Sequence, residues 1–283
     1  MTEIIYQYSD TWVEKNSSDF RQLLNSVSSY VDPDQVVAQL NQSEQTVSAL
    51  AYMDKKLVGF LGGVIKAGNL EAKIFISNPD EDHKTITTKM FEKLNENFKG
   101  KIQIWVSSQY PSKLSTLQSL GLKKTREVVQ LECQLPVNGE YLPTQKFTDS
   151  NTDELIQVNN LAFTNHPDQG DLNQKKFQNI QNEKWYKHSL IRVFKIRNSI
   201  AGFCWIKPHV SKNAGEIYVL AIHPDHQGKG LGKKLLRSGL TQIQHLGFST
   251  AFLFTEADNH LALNVYKKIG FRIVRSDIAM TTS

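Results

Sequence analysis

The stretch Tyr218–Leu240, YVLAIHPDHQGKGLGKKLLRSGL, decides how this chain is interpreted. A β-branched run leads into the glycine-rich turn Gln227–Gly232, and apolar residues then recur at helical spacing, at Leu231, Leu235, Leu236, Leu240 and Ile243. Glycines let backbone N–H groups approach an anion, and the positive end of the following helix faces it. The turn therefore predicts a phosphate-binding loop, to which Lys229 and Lys233 would add positive charge.

A dinucleotide site of the Rossmann type is the main rival for such a turn. No acidic residue closes the next strand, Ala251–Phe254, as that site would need. The turn also follows a hairpin, Leu190–Lys195 with Ile200–Lys207, and the strand Glu216–Ile222, so the strand order disfavours a dinucleotide. The alternation of strands and helices that follows predicts an α/β fold.

The two halves of the chain are similar in sequence. KKLVGFLGG (Lys55–Gly63) resembles NSIAGFCWI (Asn198–Ile206), and QSLGLKKTREV (Gln118–Val128) resembles KKIGFRIVRSD (Lys267–Asp277). The offset of roughly 145 residues is too long for a solenoid and predicts a duplicated domain. We place the boundary near Tyr141, which gives domains of residues 1–140 and 141–283.

The first copy lacks the glycine-rich turn. Asp82–Thr87 occupies the corresponding place, with Thr85 and Thr87 where the second copy has Gly230 and Gly232. Side chains there crowd the space that a pyrophosphate needs and disfavour positive φ. We expect the first copy to be non-catalytic and to support the acceptor side of the second.

Composition and charge narrow the possible partners. The net charge is +5, but Lys and Arg are scattered among acids, and one tight basic group (Lys229, Lys233, Lys234 and Arg237) lies beside the turn. This pattern favours a small phosphorylated ligand over nucleic acid. No signal segment or membrane-length apolar run is present, so we expect a cytoplasmic monomer without a membrane partner. Cys133 and Cys204 lie in strand-like runs and predict buried thiols, and nothing indicates a metal.

The turn and its context resemble the GNAT acetyltransferase superfamily, whose signature Gln/Arg-x-x-Gly-x-Gly/Ala is present as Gln227, Gly230 and Gly232. The resemblance implies two tandem GNAT-like domains, each a mixed, mostly antiparallel twisted sheet flanked by helices. It also implies acetyl-CoA as co-substrate, with its pantetheine arm along Tyr218–Ile222. The implied acetyl-CoA-binding residues are Leu220, Ala221, Ile222, Gln227, Gly228, Lys229, Gly230, Leu231, Gly232, Lys233, Asn259, Leu261, Ala262 and Asn264.

Three groups are candidates for the chemistry. The resemblance implies that the N–H of Leu220 faces the thioester oxygen and that Tyr266, two helical turns after Asn259, protonates the departing thiolate. Glu216 begins the central strand, where a carboxylate could accept the proton of the acceptor ammonium. The histidines at positions 209, 223 and 226 are alternative bases.

The segment Asn159–Tyr186 further resembles the acceptor-binding region of the mycothiol synthases, which acetylate the cysteinyl amine of a cysteinyl-glucosaminyl-inositol. The resemblance implies acceptor contacts from Asp171, Lys207 and Glu216, and from Asp34 of the first copy. Phe254 stands where that family is expected to have a tyrosine. Two alternatives stay open: a GNAT enzyme acting on an amino sugar, an amino acid or a protein N-terminus, and a non-catalytic acyl-CoA sensor.

Overall fold

The computed structural model describes residues 3–11, 17–27, 33–41, 45–77, 83–166 and 168–283. Its contacts divide the chain into two compact units. The first unit comprises Met1–Val128 together with Arg275–Ser283, and the second comprises Val129–Val274. The sequence-based boundary lies near Tyr141, so the structural division falls somewhat earlier and assigns the C-terminal residues to the first unit.

The first unit is a mixed sheet with helices. Its described elements are β1 (Ile4–Ser9), α1 (Ser17–Val27), α2 (Pro33–Asn41), β2 (Thr46–Met53), β3 (Lys56–Lys66), β4 (Asn69–Ile76), α3 (His83–Asn97), β5 (Ile102–Ser107), α4 (Pro111–Ser119), β6 (Lys123–Gln134) up to Val128, and β12 (Arg272–Thr281) from Arg275. Strands β1 to β5 neighbour one another in chain order, and β12 follows β5. The β4–β5 pair is parallel, whereas β1–β2, β2–β3, β3–β4 and β5–β12 are antiparallel.

The second unit repeats this plan. Its elements are the rest of β6, β7 (Gln145–Lys146), α5 (Thr152–Ala162), α6 (Gln174–Gln181), β8 (Ile191–Ile196), β9 (Ser199–His209), β10 (Ala214–Ile222), α7 (Leu231–His245), β11 (Thr250–Glu256) and α8 (His260–Ile269). The strand order is β6-β11-β10-β9-β8-β7. The β10–β11 pair is parallel, and β7–β8, β8–β9 and β9–β10 are antiparallel. The predicted α/β class, with mostly antiparallel mixed sheets, is confirmed.

Helix α7 packs its apolar stripe on the sheet of the second unit, as the helical spacing predicts. Leu235, Leu236, Leu240 and Ile243 are completely buried. Gly239 allows the close approach, because a Cβ at this position would lie 2.4 Å from the Cys204 sulfur. Burying four such side chains contributes several kcal/mol, at about 1.5–3 kcal/mol each. This packing fixes the start of α7 beside the end of β10.

The two cysteines are buried free thiols. Loss of hydration raises the pKa of Cys133 and of Cys204 to about 12, so neither is a reactive thiolate near neutral pH. Within the described ranges, no helix is long and apolar enough to cross a membrane.

Candidate active site

Strands β10 and β11 begin as neighbours and then separate. Their parallel pairing covers three positions, Ala214 with Thr250, Gly215 with Ala251 and Glu216 with Phe252, although β10 continues to Ile222 and β11 to Glu256. Beyond Glu216, the edge of β10 that faces β11 is therefore not paired with that strand. An unpaired strand edge carries free N–H and C=O groups that can bind an extended ligand.

The backbone of β10 points its polar groups into this opening at the predicted positions. The β9–β10 register shifts between Ile217 and Val219, which is a β-bulge at Tyr218. After the bulge, the N–H of His223 donates to the carbonyl of Ala201. Because hydrogen-bonded and non-hydrogen-bonded pairs alternate in an antiparallel ladder, Leu220 and Ile222 direct their N–H and C=O groups away from β9.

The glycine-rich turn links the end of β10 to α7. Gly228 and Gly230 have φ values of +74° and +72°, in the left-handed region that glycine adopts without strain. Gly230 is the N-cap of α7 and provides no side-chain cap, so the first N–H groups of the helix stay available to a ligand. The side-chain amide of Gln227 donates to the carbonyl of Ile222 at 2.9 Å, which ties the turn to the strand.

The basic group beside the turn divides into two pairs. Lys234 forms an ion pair with Glu140 at 2.6 Å, and the guanidinium of Arg237 packs beside Gly139. Lys229 is exposed and donates to the carbonyl of Asp225 at 2.9 Å, whereas Lys233 is half-buried in the first turn of α7. Lys229 and Lys233 are therefore the cations that can contact an anion at the turn.

Glu216, the predicted base, lies at the last paired position before the strands separate. It is 9% exposed, and its Oε2 lies 2.7 Å from Nε2 of His209. The imidazole also packs against Phe252, with 4.9 Å between the ring centroids. A carboxylate held in this way has one oxygen fixed by a neighbour and a second that can receive a proton.

Lys207 lies directly across from Glu216 on β9, so the two side chains share a face of the sheet. Its ammonium sits over two aromatic rings, 5.1 Å from the centroid of Trp185 and 5.6 Å from that of Tyr218. Such cation–π contacts contribute about 0.5–2 kcal/mol and restrict the lysine to one region. The same face of the sheet therefore carries a carboxylate and an ammonium group.

Tyr266 and Asn259 lie on α8, as predicted. Asn259 is the N-cap, and its side chain accepts from the N–H of Ala262 at 3.1 Å. Leu261 and Asn264 are exposed, and Ala262 is half-buried. Tyr266 is half-buried, and burial raises the pKa of its hydroxyl to about 12, with a smaller rise from the Cys204 thiol. The hydroxyl therefore keeps its proton throughout the neutral range.

Three further residues were predicted as acceptor contacts, and each has its own surroundings in the structure. Asp171 is exposed in the segment between α5 and α6, where it pairs with Lys176. Phe254 is 40% exposed on the separated part of β11 and contacts the ring of Phe252. Asp34 belongs to α2 of the first unit and pairs with Arg21 at 2.8 Å. The roles of these three residues as acceptor contacts stay predictions.

Two features of the site were not anticipated from the sequence. The sequence marks His209 as an alternative base but does not predict its hydrogen bond to Glu216, and it does not single out Trp185 as a partner of Lys207. Lys207 and His209 are two residues apart, so the sequence alone places them on the same face of β9. Which residues of β10 they meet depends on the β9–β10 register. Among the described residues, no group of three or more His, Cys, Asp or Glu could hold a metal ion.

Sequence comparison with known proteins gives a family match that lies within the second unit. A family model described as "Acetyltransferase (GNAT) family" matches residues 153–271. A mycothiol acetyltransferase of Streptomyces coelicolor is 33% identical over 192 residues, and one of Acidimicrobium ferrooxidans is 32% identical over 187 residues. These alignments cover 64% and 62% of this chain but only 62% and 60% of the two relatives, which is less than two thirds of their length.

Solved structures match nearly the whole chain. A GCN5-related N-acetyltransferase from Sphaerobacter thermophilus superposes with a TM-score of 0.77 at 12% identity, covering 98% of this chain and 95% of that one. A tandem GNAT protein from the clavulanic acid biosynthesis pathway gives a TM-score of 0.71 at 12% identity, with 99% and 98% covered. At such low identity these two matches establish the fold alone. In sequence, residues 153–271 are similar to the acetyltransferase (GNAT) family.

Proposed function

We propose that this protein is an acetyl-CoA-dependent N-acetyltransferase that acts on a primary amine through its second unit. The observation that carries the proposal is the separation of β10 from β11 immediately after Glu216, beside a glycine-rich helix start. The opening suits an extended pantetheine arm, and the turn at Gly228 and Gly230 suits a pyrophosphate. The similarity of residues 153–271 to the acetyltransferase (GNAT) family supports acetyl-CoA as the co-substrate.

Glu216 begins the reaction in this proposal. An alkyl ammonium has no lone pair with which to attack a carbonyl, so its proton must first be removed. The buried carboxylate accepts that proton, and the neutral amine nitrogen then bonds to the thioester carbon. Lys207, across from Glu216, donates to hydroxyl groups of the acceptor and orients it.

Leu220 and Tyr266 complete the transfer. The N–H of Leu220 points into the opening and stabilises the negative charge that grows on the thioester oxygen in the tetrahedral intermediate. When the carbon–sulfur bond breaks, the Tyr266 hydroxyl donates its proton to the thiolate of CoA, and the second proton lost by the amine nitrogen returns through solvent to the tyrosinate. The hydroxyl carries its proton at neutral pH, because burial raises its pKa to about 12.

For the acceptor we propose the cysteinyl amine of a mycothiol precursor. The sequence similarity to mycothiol acetyltransferases, over 192 and 187 residues, supports this choice. The pairing of Glu216 with a lysine on one sheet face also suits an acceptor that carries both an amine and sugar hydroxyls. Phe254 has no hydroxyl at a position where a tyrosine is expected, so we expect the acceptor to bind without a hydrogen bond at that position.

The test is a screen of the purified chain with acetyl-CoA against cysteinyl-glucosaminyl-inositol, glucosamine, free amino acids and peptides, with free CoA as the readout. We expect the fastest release of CoA with cysteinyl-glucosaminyl-inositol. Preference for a different amine would keep the acetyltransferase and reject the acceptor. Tight binding of acetyl-CoA with no transfer to any amine would instead indicate an acyl-CoA sensor.

A further inference from the structure

Each unit contains a contact between a glutamate carboxylate and a side-chain nitrogen of the neighbouring strand, at equivalent positions. In the second unit, Glu216 on β10 lies opposite Lys207, and its carboxylate contacts the side chain two residues further along β9, that of His209. In the first unit, Glu71 on β4 lies opposite Val64, and its carboxylate contacts Lys66, again two residues further along β3. The two carboxylate–nitrogen distances are similar, 2.7 Å and 2.6 Å.

Both glutamates also lie within the short parallel ladder of their unit. Glu216 pairs with Phe252 on β11 at the last of three paired positions, and Glu71 pairs with Gln103 on β5 at the second of four. The duplicated fold therefore keeps a carboxylate with a nitrogen hydrogen-bond partner in both copies. What changes between the copies is the partner: an imidazole in the second unit and an ammonium in the first.

The partners differ in burial and in charge. The side chains of His209 and Glu216 are 18% and 11% exposed, whereas those of Lys66 and Glu71 are 64% and 37% exposed. An ammonium donor always brings a positive charge, and a neighbouring positive charge favours the ionised carboxylate and makes it a weaker proton acceptor. An imidazole can donate from Nε2 while it is uncharged.

We propose that His209 is the positioning residue of the base, a proposal that rests on the assignment of Glu216 in the proposed function. The Nε2–H of His209 donates to Oε2 of Glu216 and fixes the carboxylate, so that Oε1 remains available for the proton of the acceptor ammonium. The Phe252 ring holds the imidazole in place. Lys207, the nearby lysine on the same strand face, is held over the rings of Trp185 and Tyr218.

Three substitutions separate positioning from charge and from simple packing. His209→Gln keeps an uncharged N–H donor, His209→Lys reproduces the ammonium of the first unit, and His209→Leu fills the space without a donor. The readouts are kcat and the KM for acetyl-CoA with cysteinyl-glucosaminyl-inositol as the acceptor. We expect His209→Gln to stay close to the parent, and the other two to lose about 10-fold or more in kcat with little change in the KM for acetyl-CoA.

The matched control is Lys66→Leu, which removes the equivalent donor from the first unit and is expected to leave kcat unchanged. If all three His209 variants match the parent while Glu216→Gln is slow, the positioning role is wrong and the base assignment survives. If His209→Gln is as slow as His209→Leu, the imidazole does more than donate and the proposal is overturned. If Glu216→Gln itself keeps full rate, it is the base of the proposed function that fails.

A second measurement needs no turnover. Nitrogen-15 NMR of the labelled imidazoles distinguishes which ring nitrogen carries the proton, and His209→Gln assigns the His209 signal by its disappearance. We expect a proton on Nε2 of His209 at neutral pH, in a hydrogen bond that changes in Glu216→Gln and not in Glu71→Gln. A proton carried on Nδ1 alone would overturn the proposal whatever acceptor the enzyme uses.

Discussion

The two units share a strand arrangement but differ at the start of one helix. In the second unit, Gly230 precedes α7 in the left-handed conformation, and no side chain caps the helix. At the equivalent place in the first unit, Thr85 and Thr87 lie within α3, and Thr87 is fully buried. Its buried side chain fills space where the second unit has a glycine. The hydroxyl has no hydrogen-bond partner among the described residues.

The separated strands therefore belong to the duplicated fold, whereas the proposed anion site depends on a few residues of the second unit. Strands β4 and β5 likewise pair at only four positions, and β4 then continues to Ile76 without pairing with β5. A duplicated sheet can therefore retain its opening after the phosphate loop is lost. The comparison predicts that substitutions in the second unit affect function and that matched substitutions in the first do not.

The largest expected effect comes from Gly230→Glu, which should abolish acetyl-CoA binding. A Cβ at position 230 would meet no atom within 4 Å, so the fold accommodates the side chain, although a non-glycine residue at φ +72° is strained. The carboxylate would then repel the pyrophosphate at the helix start. Isothermal titration calorimetry with acetyl-CoA measures the loss.

Gly121→Glu is the matched control for that variant. Gly121 also has a positive φ, +87°, and an open Cβ position, but it lies in the first unit after α4. The backbone strain is therefore comparable, and acetyl-CoA affinity should be unchanged. Retained binding in Gly230→Glu, or equal loss in both variants, would remove the assignment of the anion site to the turn.

Glu216→Gln should lower kcat/KM by about 10²-fold or more, because the amide keeps the shape of the side chain without its basicity. Acetyl-CoA affinity should change little. More of the acceptor amine is neutral at higher pH, so the variant's rate should keep rising through roughly pH 8 to 9 where the parent levels off. Steady-state rates across that range test both statements, and full activity with an unaltered profile would exclude Glu216 as the base.

Tyr266→Phe should lower kcat by about 10²-fold, the lower end for loss of a general acid, with unchanged acetyl-CoA affinity. The pKa of the hydroxyl, raised to about 12, means that the parent's tyrosine does not lose its proton until the solution is strongly alkaline. A fall in the parent's rate below pH 10 therefore comes from another group. An unchanged kcat in the variant would mean that water protonates the thiolate.

The smallest effect should come from Glu71→Gln, the first-unit counterpart of Glu216→Gln. Because Glu71 pairs with Lys66 in a largely exposed setting, its removal should cost only about 0–1 kcal/mol of stability. We expect kcat to stay within about twofold of the parent, since no reacting group is altered. Thermal unfolding and the CoA-release assay measure the two quantities, and a large loss of rate would show that the first unit takes part in the chemistry.

Much of the second unit follows from local sequence. The spacing of Leu235, Leu236 and Leu240 predicts α7, and the glycines before it predict the turn, because both depend on residues close in the chain. The pair of His209 with Glu216 was less accessible, since it depends on the register between strands and a one-residue shift would reverse the face. The assignment of Arg275–Ser283 to the first unit is a distant contact that no local pattern reports.

The acceptor region shows the same limit. Lys207 was singled out through a family resemblance, but its contacts with Trp185 and Tyr218 join residues that are far apart in the sequence. Asp171 was singled out on the same basis, and it lies exposed beside Lys176. Residue type alone does not separate these two outcomes, because both side chains are polar and their burial depends on what packs around them.

The central claim is that one unit of the duplicated chain binds acetyl-CoA. Isothermal titration calorimetry of the parent protein with acetyl-CoA tests it most directly, because the stoichiometry counts working sites without needing the acceptor. We expect one site per chain, which disappears in Gly230→Glu and persists in Gly121→Glu. Two tight sites per chain, or one site that survives Gly230→Glu, would contradict it.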